Sequence, residues 1–273
     1  MKKIFSKFLT CVLSIVTVGN FRIFEMCENK IGTHVLVDID KTNMSAYVYS
    51  DGSENETVVL LSGWGTKNPN EDFKPLIDEL RKKNLKVVVL EYFGYGSSDE
   101  TTKERSNENI CNEIHKSLIV LGIKCPIFIV HSMSGLHIIK YSLMFPDEIK
   151  AIVGIDMSLP QKQIERYSEN FPRRECSGNI NQTVINHWNE FFNNSKELEK
   201  SKYPEKLPVI AFIATEQIDS VKSMGLTSWE EMNQNMITNN EIQKIKILNG
   251  EHYLHHEQKN AEIIAEKTLE ILS

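Results

Sequence analysis

Six short runs of almost uninterrupted apolar residues punctuate the sequence, at 57–62 (TVVLLS), 86–92 (KVVVLEY), 126–130 (PIFIV), 151–156 (AIVGID), 208–214 (PVIAFIA) and 244–248 (KIKIL). A strand with one face in water alternates apolar and polar residues, whereas a strand that is apolar throughout must be covered on both faces, as in a central parallel sheet. Helical spacing fills the gaps between the runs. Phe73, Leu76, Ile77 and Leu80 share one face, as do Ile110, Ile114 and Leu118, then Leu136, Ile139 and Leu143, and the final stretch EQKNAEIIAEKTLEILS is a fourth helix. Strand alternating with helix requires right-handed crossovers and gives a doubly wound α/β sheet. Ahead of it, 33–40 and 44–51 alternate and read as an antiparallel hairpin. The expectation is a mostly parallel, eight-stranded sheet.

With 273 residues, of which 41% are hydrophobic, the chain can bury a sizeable core, and it has neither a Pro/Gly/Ser-rich linker nor an internal repeat. A single domain over 27–273 is therefore expected. One stretch interrupts the alternation: from Leu159 to Leu207 the sequence is polar and aromatic, with Tyr167, Phe171, Trp188, Phe191 and Phe192 but no strand pattern. It reads as a helical lid inserted over the carboxyl edge of the sheet. The net charge of −6, with no dense basic run, argues against nucleic acid as a partner.

Residues 1–26 form a separate segment in which Lys2, Lys3 and Lys7 precede an uncharged stretch from Phe8 to Gly19. That is the layout of a secretory signal, cleaved after Thr17-Val18-Gly19, or of an uncleaved membrane anchor lengthened through Phe21, Ile23 and Phe24. Both export the chain, to a secreted or membrane-anchored location, and a buried first helix is the third reading. The cysteines match no zinc motif. His252 and His255 lack a third ligand nearby in the sequence, so no metal is expected.

The segment most informative about chemistry is PIFIVHSMSGLHIIKY, an apolar strand that stops at His131-Ser132-Met133-Ser134-Gly135 and runs directly into a helix. A serine on such a bend is lifted above the sheet, and the backbone N–H groups after it point from a helix start towards a developing oxyanion. The segment resembles the nucleophile elbow G-x-S-x-G of the α/β-hydrolase superfamily. Val130 and Ser134 replace the two outer glycines. The register favours Ser132 over Ser134 as nucleophile, and a plain helix N-cap is the alternative. Two further stretches are similar to that family: LLSGWGT to its H-G-x-G loop, with Ser62 in the histidine position, and EYFGYGSSD to its D-x-R-G-x-G-x-S-D turn, with Phe93 in the arginine position.

The resemblance implies that Ser132 is the nucleophile and that the N–H groups of Trp64 and Met133 form the oxyanion hole. It also implies a histidine as base, placed last in the chain, and ILNGEHYLHH supplies His252 at the strand-Gly-x-His spacing, with His255 and His256 as competitors. For the acid two carboxylates stay open. Glu216 follows the strand 208–214 and is slightly preferred; Asp156 follows the strand before it. The implied activity is hydrolysis of a small carboxylic ester with an apolar acyl or aryl group, without a cofactor. Aminopeptidase-type or thioesterase chemistry, or a noncatalytic binding protein, are the alternatives on the same fold.

Overall fold

The computed structural model describes residues 24–29, 32–160, 180–223 and 228–271. Segment 1–23 and the part of the expected lid at 161–179 lie outside them. All eight expected strands form: β2 (Gly32–Ile39), β3 (Thr42–Tyr49), β4 (Thr57–Leu61), β5 (Lys86–Glu91), β6 (Ile127–His131), β7 (Ala151–Ile155), β8 (Val209–Ala214) and β9 (Gln243–Leu248). A further strand, β1 (Phe24–Asn29), pairs antiparallel with β2 and begins inside the segment read from sequence as signal or anchor. The described sheet is thus nine-stranded rather than eight-stranded, in the order β1-β2-β3-β5-β4-β6-β7-β8-β9. β1, β2 and β3 run antiparallel and the rest are parallel. Among the described residues no helix is long and apolar enough to cross a membrane.

The helices are α1 (Pro69–Asp72), α2 (Lys74–Lys82), α3 (Asn107–Val120), α4 (Ser134–Met144), α5 (Gln182–Asn189), α6 (Phe191–Glu197), α7 (Thr215–Ser223), α8 (Trp229–Gln234) and α9 (Gln258–Glu270). The apolar strands β4 to β8 need both faces covered, and they are; β9, expected to be covered likewise, is the edge strand and leaves Ile247 exposed. Val59, Leu61, Phe128 and Val130 face Ile110 and Ile114 of α3 and Leu136 and Ile139 of α4. Their neighbours Val58, Leu60, Ile127 and Ile129 face Leu76, Ile77 and Leu80 of α2 and Ala261 and Ile264 of α9 on the other side.

The described part of the insert, 180–207, carries α5 and α6, and buried polar contacts tie both to the sheet's carboxyl end. Asn181 caps α5 by accepting from the Val184 N–H at 3.0 Å and donates to the Gly94 carbonyl at 2.6 Å. His187 of α5 meets His137 of α4 (Nε2 to Nε2, 2.7 Å) and the Tyr95 hydroxyl (2.8 Å). Asn194 of α6 bonds the Asn107 N–H at 2.7 Å and the Arg105 carbonyl at 3.0 Å.

Burial pushes the His137 pKa down to about 3 and holds His187 well below its ordinary value. Unfolded, both titrate near about 6.5. As the pH falls through that value the unfolded chain takes up protons that the folded chain refuses, so stability is lost on acidification, by up to about 1.4 kcal/mol per pH unit for each ring. His131 and His255, also held low by burial, act in the same direction. The urea midpoint is expected to drop steadily between about pH 7.5 and about pH 5, and a flat midpoint would contradict the burial of neutral imidazoles.

Candidate active site

Ser132 lies between β6 and α4 with φ +52°, a left-handed conformation that a residue with a Cβ adopts only when its surroundings hold it there. The surroundings do so from both sides. Its N–H donates to the Ile155 carbonyl at 3.2 Å, and its carbonyl accepts from Ser158 N–H at 2.7 Å and Gly135 N–H at 2.9 Å. The strand end, the loop after β7 and the first turn of α4 therefore meet at one bend. Ser132 is half-buried, within reach of solvent.

The two departures from the glycine pattern are both accommodated. Val130 is a fully buried β6 residue whose side chain joins the core. Ser134 is buried; its hydroxyl lies 2.7 Å from the Tyr92 hydroxyl and donates to the Ser62 carbonyl at 2.5 Å, so it is part of the packing. The glycine that the bend does require is Gly135: a Cβ there would stand 2.4 Å from the Ser158 carbonyl oxygen and 2.8 Å from Met157 Cβ. Gly135→Ala is expected to lower the unfolding free energy by about 2 kcal/mol through overpacking, read from urea melts. An unchanged midpoint would show that the bend can open.

Asp156 follows β7, also in a left-handed conformation at φ +42°. Its side chain is fully buried and completely occupied: Oδ2 lies 2.6 Å from His252 Nδ1, while Oδ1 accepts from Trp229 Nε1 at 3.0 Å and from Ala214 N–H at 3.3 Å. With Nδ1–H donating to the carboxylate, the lone pair of His252 is on Nε2. His252 is brought to the bend by its own backbone, since its carbonyl accepts from Nε2 of His131, the residue beside Ser132, at 3.1 Å. The rings of His131 and His252 lie 4.6 Å apart between centroids.

Glu216 is placed differently. It sits in the exposed first turn of α7, where its N–H donates to the Gly250 carbonyl at 3.3 Å, and no hydrogen bond joins its carboxylate to His252. The slight preference for Glu216 over Asp156 is reversed by this geometry. β8 passes directly into a helix, whose first turn carries Glu216 to the exterior.

Trp64 follows β4 in the turn Gly63-Trp64-Gly65. A Cβ on Gly63 would stand 2.9 Å from His131 Nδ1 and 3.0 Å from Ser132 Cβ, which shows how closely this backbone passes the bend. The Trp64 indole donates to the Val184 carbonyl of α5 at 2.8 Å and packs on Trp188 at 4.5 Å. Met133 is the N-cap residue of α4, where the first-turn N–H groups have no partner within the helix. Trp64 thus follows the glycine that passes closest to Ser132, and Met133 is the residue next to Ser132 in the chain.

This ordered set, an elbow serine, an aspartate after the next strand and a histidine after the last, lies on a sheet whose residues 56–173 match the family described as alpha/beta hydrolase fold. The chain has the α/β-hydrolase fold. It is similar to the uncharacterised protein YbdG of Bacillus subtilis (strain 168), at 34% identity over 134 residues, 49% of this chain and 40% of that one. It is 31% identical over 104 residues to a 2-hydroxy-6-oxononadienedioate/2-hydroxy-6-oxononatrienedioate hydrolase of Escherichia coli O81 (strain ED1a), covering 37% of this chain and 36% of that one. The matches thus span less than half the length of either relative. Among solved structures, Est1E of Butyrivibrio proteoclasticus with ferulic acid bound has a TM-score of 0.66 at 16% identity, over 87% of this chain and 98% of that one.

Two residues of this α/β-hydrolase-fold site have roles that the sequence does not announce. Trp229 of α8 holds Asp156; Trp229, Met232 and Met236 recur at helical spacing, but nothing local ties the indole to a carboxylate 73 positions away. His131 reads as the last residue of a strand, and only the fold shows that it supports the His252 loop.

Proposed function

We propose that the chain is a serine hydrolase that cleaves a carboxylic ester through an acyl-enzyme. The observation that carries this reading is the 2.6 Å contact between Asp156 and His252, anchored beside the strained backbone of Ser132. Ser132 Oγ attacks the ester carbonyl carbon as its proton passes to His252 Nε2, and the carboxylate of Asp156 stabilises the resulting imidazolium without taking the proton. The carbonyl π electrons move to oxygen, and that oxyanion accepts hydrogen bonds from the N–H groups of Trp64 and Met133. When the tetrahedral intermediate collapses, the alcohol leaves with the proton from His252. Water then enters, gives a proton to the same nitrogen and releases the carboxylic acid, which regenerates the Ser132 hydroxyl.

The aromatic residues beside Trp64 favour an aryl or flat apolar substrate group. Trp64 packs on Trp188, which stacks on Phe191 at 6.3 Å, and the structural likeness to a protein that binds ferulic acid supports the same class. A panel of short alkyl, aryl and thio-esters tests the reading: aryl esters should give the highest kcat/KM. Turnover of thioesters alone would move the substrate class to the thioesterase alternative, and turnover of none would favour a binding protein.

A further inference from the structure

Outside the site already described, Asp72, His255 and His256 bring three metal-ligating side chains together. Asp72 closes α1, on the loop that follows the Gly63–Gly65 turn, whereas both histidines belong to the short turn Leu254–His256 between β9 and α9. His255 Nε2 lies 3.0 Å from Asp72 Oδ2 and His256 Nε2 lies 2.9 Å from Asp72 Oδ1. One ligand atom from each residue lies within 4.8 Å of the other two. Asp72 and His256 also line an open pocket of about 510 Å³, together with Thr66, Lys67, Glu71 and Tyr253.

We propose that Asp72, His255 and His256 bind one divalent transition-metal ion of the zinc class, with a water completing the coordination on the pocket side. Two imidazoles and a carboxylate are the donor set that selects zinc and its neighbours over magnesium or calcium, and three protein ligands with an open fourth position suit a tetrahedral ion. At bond lengths of about 2.0–2.1 Å, tetrahedral ligand atoms stand roughly 3.3 Å apart; each imidazole is already near that spacing from one carboxylate oxygen, but from a different one, so the carboxylate has to turn and the exposed imidazole draw in for a single Asp72 oxygen to serve with both nitrogens. The side chains differ in the way this requires. His255 is fully buried against Phe73, its ring fixed at 4.8 Å between centroids, while His256 is 48% exposed and able to turn.

The ion would clamp the loop after the Gly63–Gly65 turn to the loop that carries His252, three residues before His255. The rival is a metal-free tie in which one carboxylate accepts two imidazole hydrogen bonds.

The test is calorimetric titration of the full chain, stripped with chelator, with zinc chloride. We expect one zinc per chain, a rise of several degrees in Tm, and, with cobalt(II) in its place, the intense visible absorption of a four-coordinate ion. His256→Ala, at the exposed ligand, should weaken zinc binding about 100-fold while the apo-protein stays folded, and Asp72→Asn should do the same. His252→Ala should leave zinc affinity within about twofold, since the sites share no ligand. Absence of stoichiometric zinc in the wild type, or undiminished affinity in His256→Ala, would overturn the proposal. So would loss of zinc in His252→Ala, which would place the ion at the Asp156–His252 pair. None of these readouts depends on ester hydrolysis.

Discussion

Ser132→Ala is expected to lower kcat for a p-nitrophenyl ester by about 10⁴-fold or more while leaving Tm within a degree or two of the wild type. The loss is large because, among the described residues, the neighbouring hydroxyl is not placed to replace it. Ser134, two residues on, is buried between the Tyr92 hydroxyl and the Ser62 carbonyl, and its proton is committed to that carbonyl. The fold is spared because the bend is held by backbone contacts of residue 132, which alanine keeps. Full activity in the alanine variant would move the nucleophile elsewhere. The same loss with a collapsed Tm would say only that the bend had failed, and Ser132→Cys, which retains a nucleophile and nearly the same volume, then separates the two.

The second large effect concerns the carboxylate. Asp156→Asn is expected to reduce kcat by about 10³- to 10⁴-fold, because an amide NH₂ facing His252 Nδ1 would force the ring into the tautomer that carries its proton on Nε2, where it cannot accept from Ser132. KM should change little, since Asp156 is fully buried behind the imidazole and meets no substrate. Glu216→Gln, on the exposed turn of α7, should leave kcat within about twofold. The reverse pattern would restore Glu216 as the acid and make the 2.6 Å contact a structural pair.

Much of this arrangement can be read from residue order alone, and what cannot has identifiable causes. The strands β4 to β8 are legible because each must be apolar on both faces, a demand no exposed loop makes, whereas β9 at the sheet edge alternates lysines with isoleucines and leaves Ile247 exposed. β1 is not legible, because FEMCEN lies beside an apolar N-terminal stretch with charges of its own, and its strand character comes from pairing with β2. Ser132 and His252 are legible because each stands immediately after a strand or its glycine turn, so local sequence fixes where the side chain emerges. The choice between Asp156 and Glu216 is not, because both follow parallel strands and differ only in what comes next. After β7 the chain turns through φ +42° with the carboxylate inward, whereas after β8 it enters a helix at once. The Asp72–His255–His256 cluster shows the same limit: Asp72 is separated from His255 by 183 positions, so no local spacing brings it to the two histidines.

The proposed ester hydrolysis rests on activation of the Ser132 hydroxyl by the imidazole–carboxylate pair. Its most direct test is treatment of the full chain with a fluorophosphonate, followed by peptide mass spectrometry. The expected result is a single phosphonyl adduct on Ser132, formed rapidly in the wild type and at least about 100-fold more slowly in His252→Ala. An adduct on a different residue, or no adduct at all in a folded and otherwise stable protein, would contradict it.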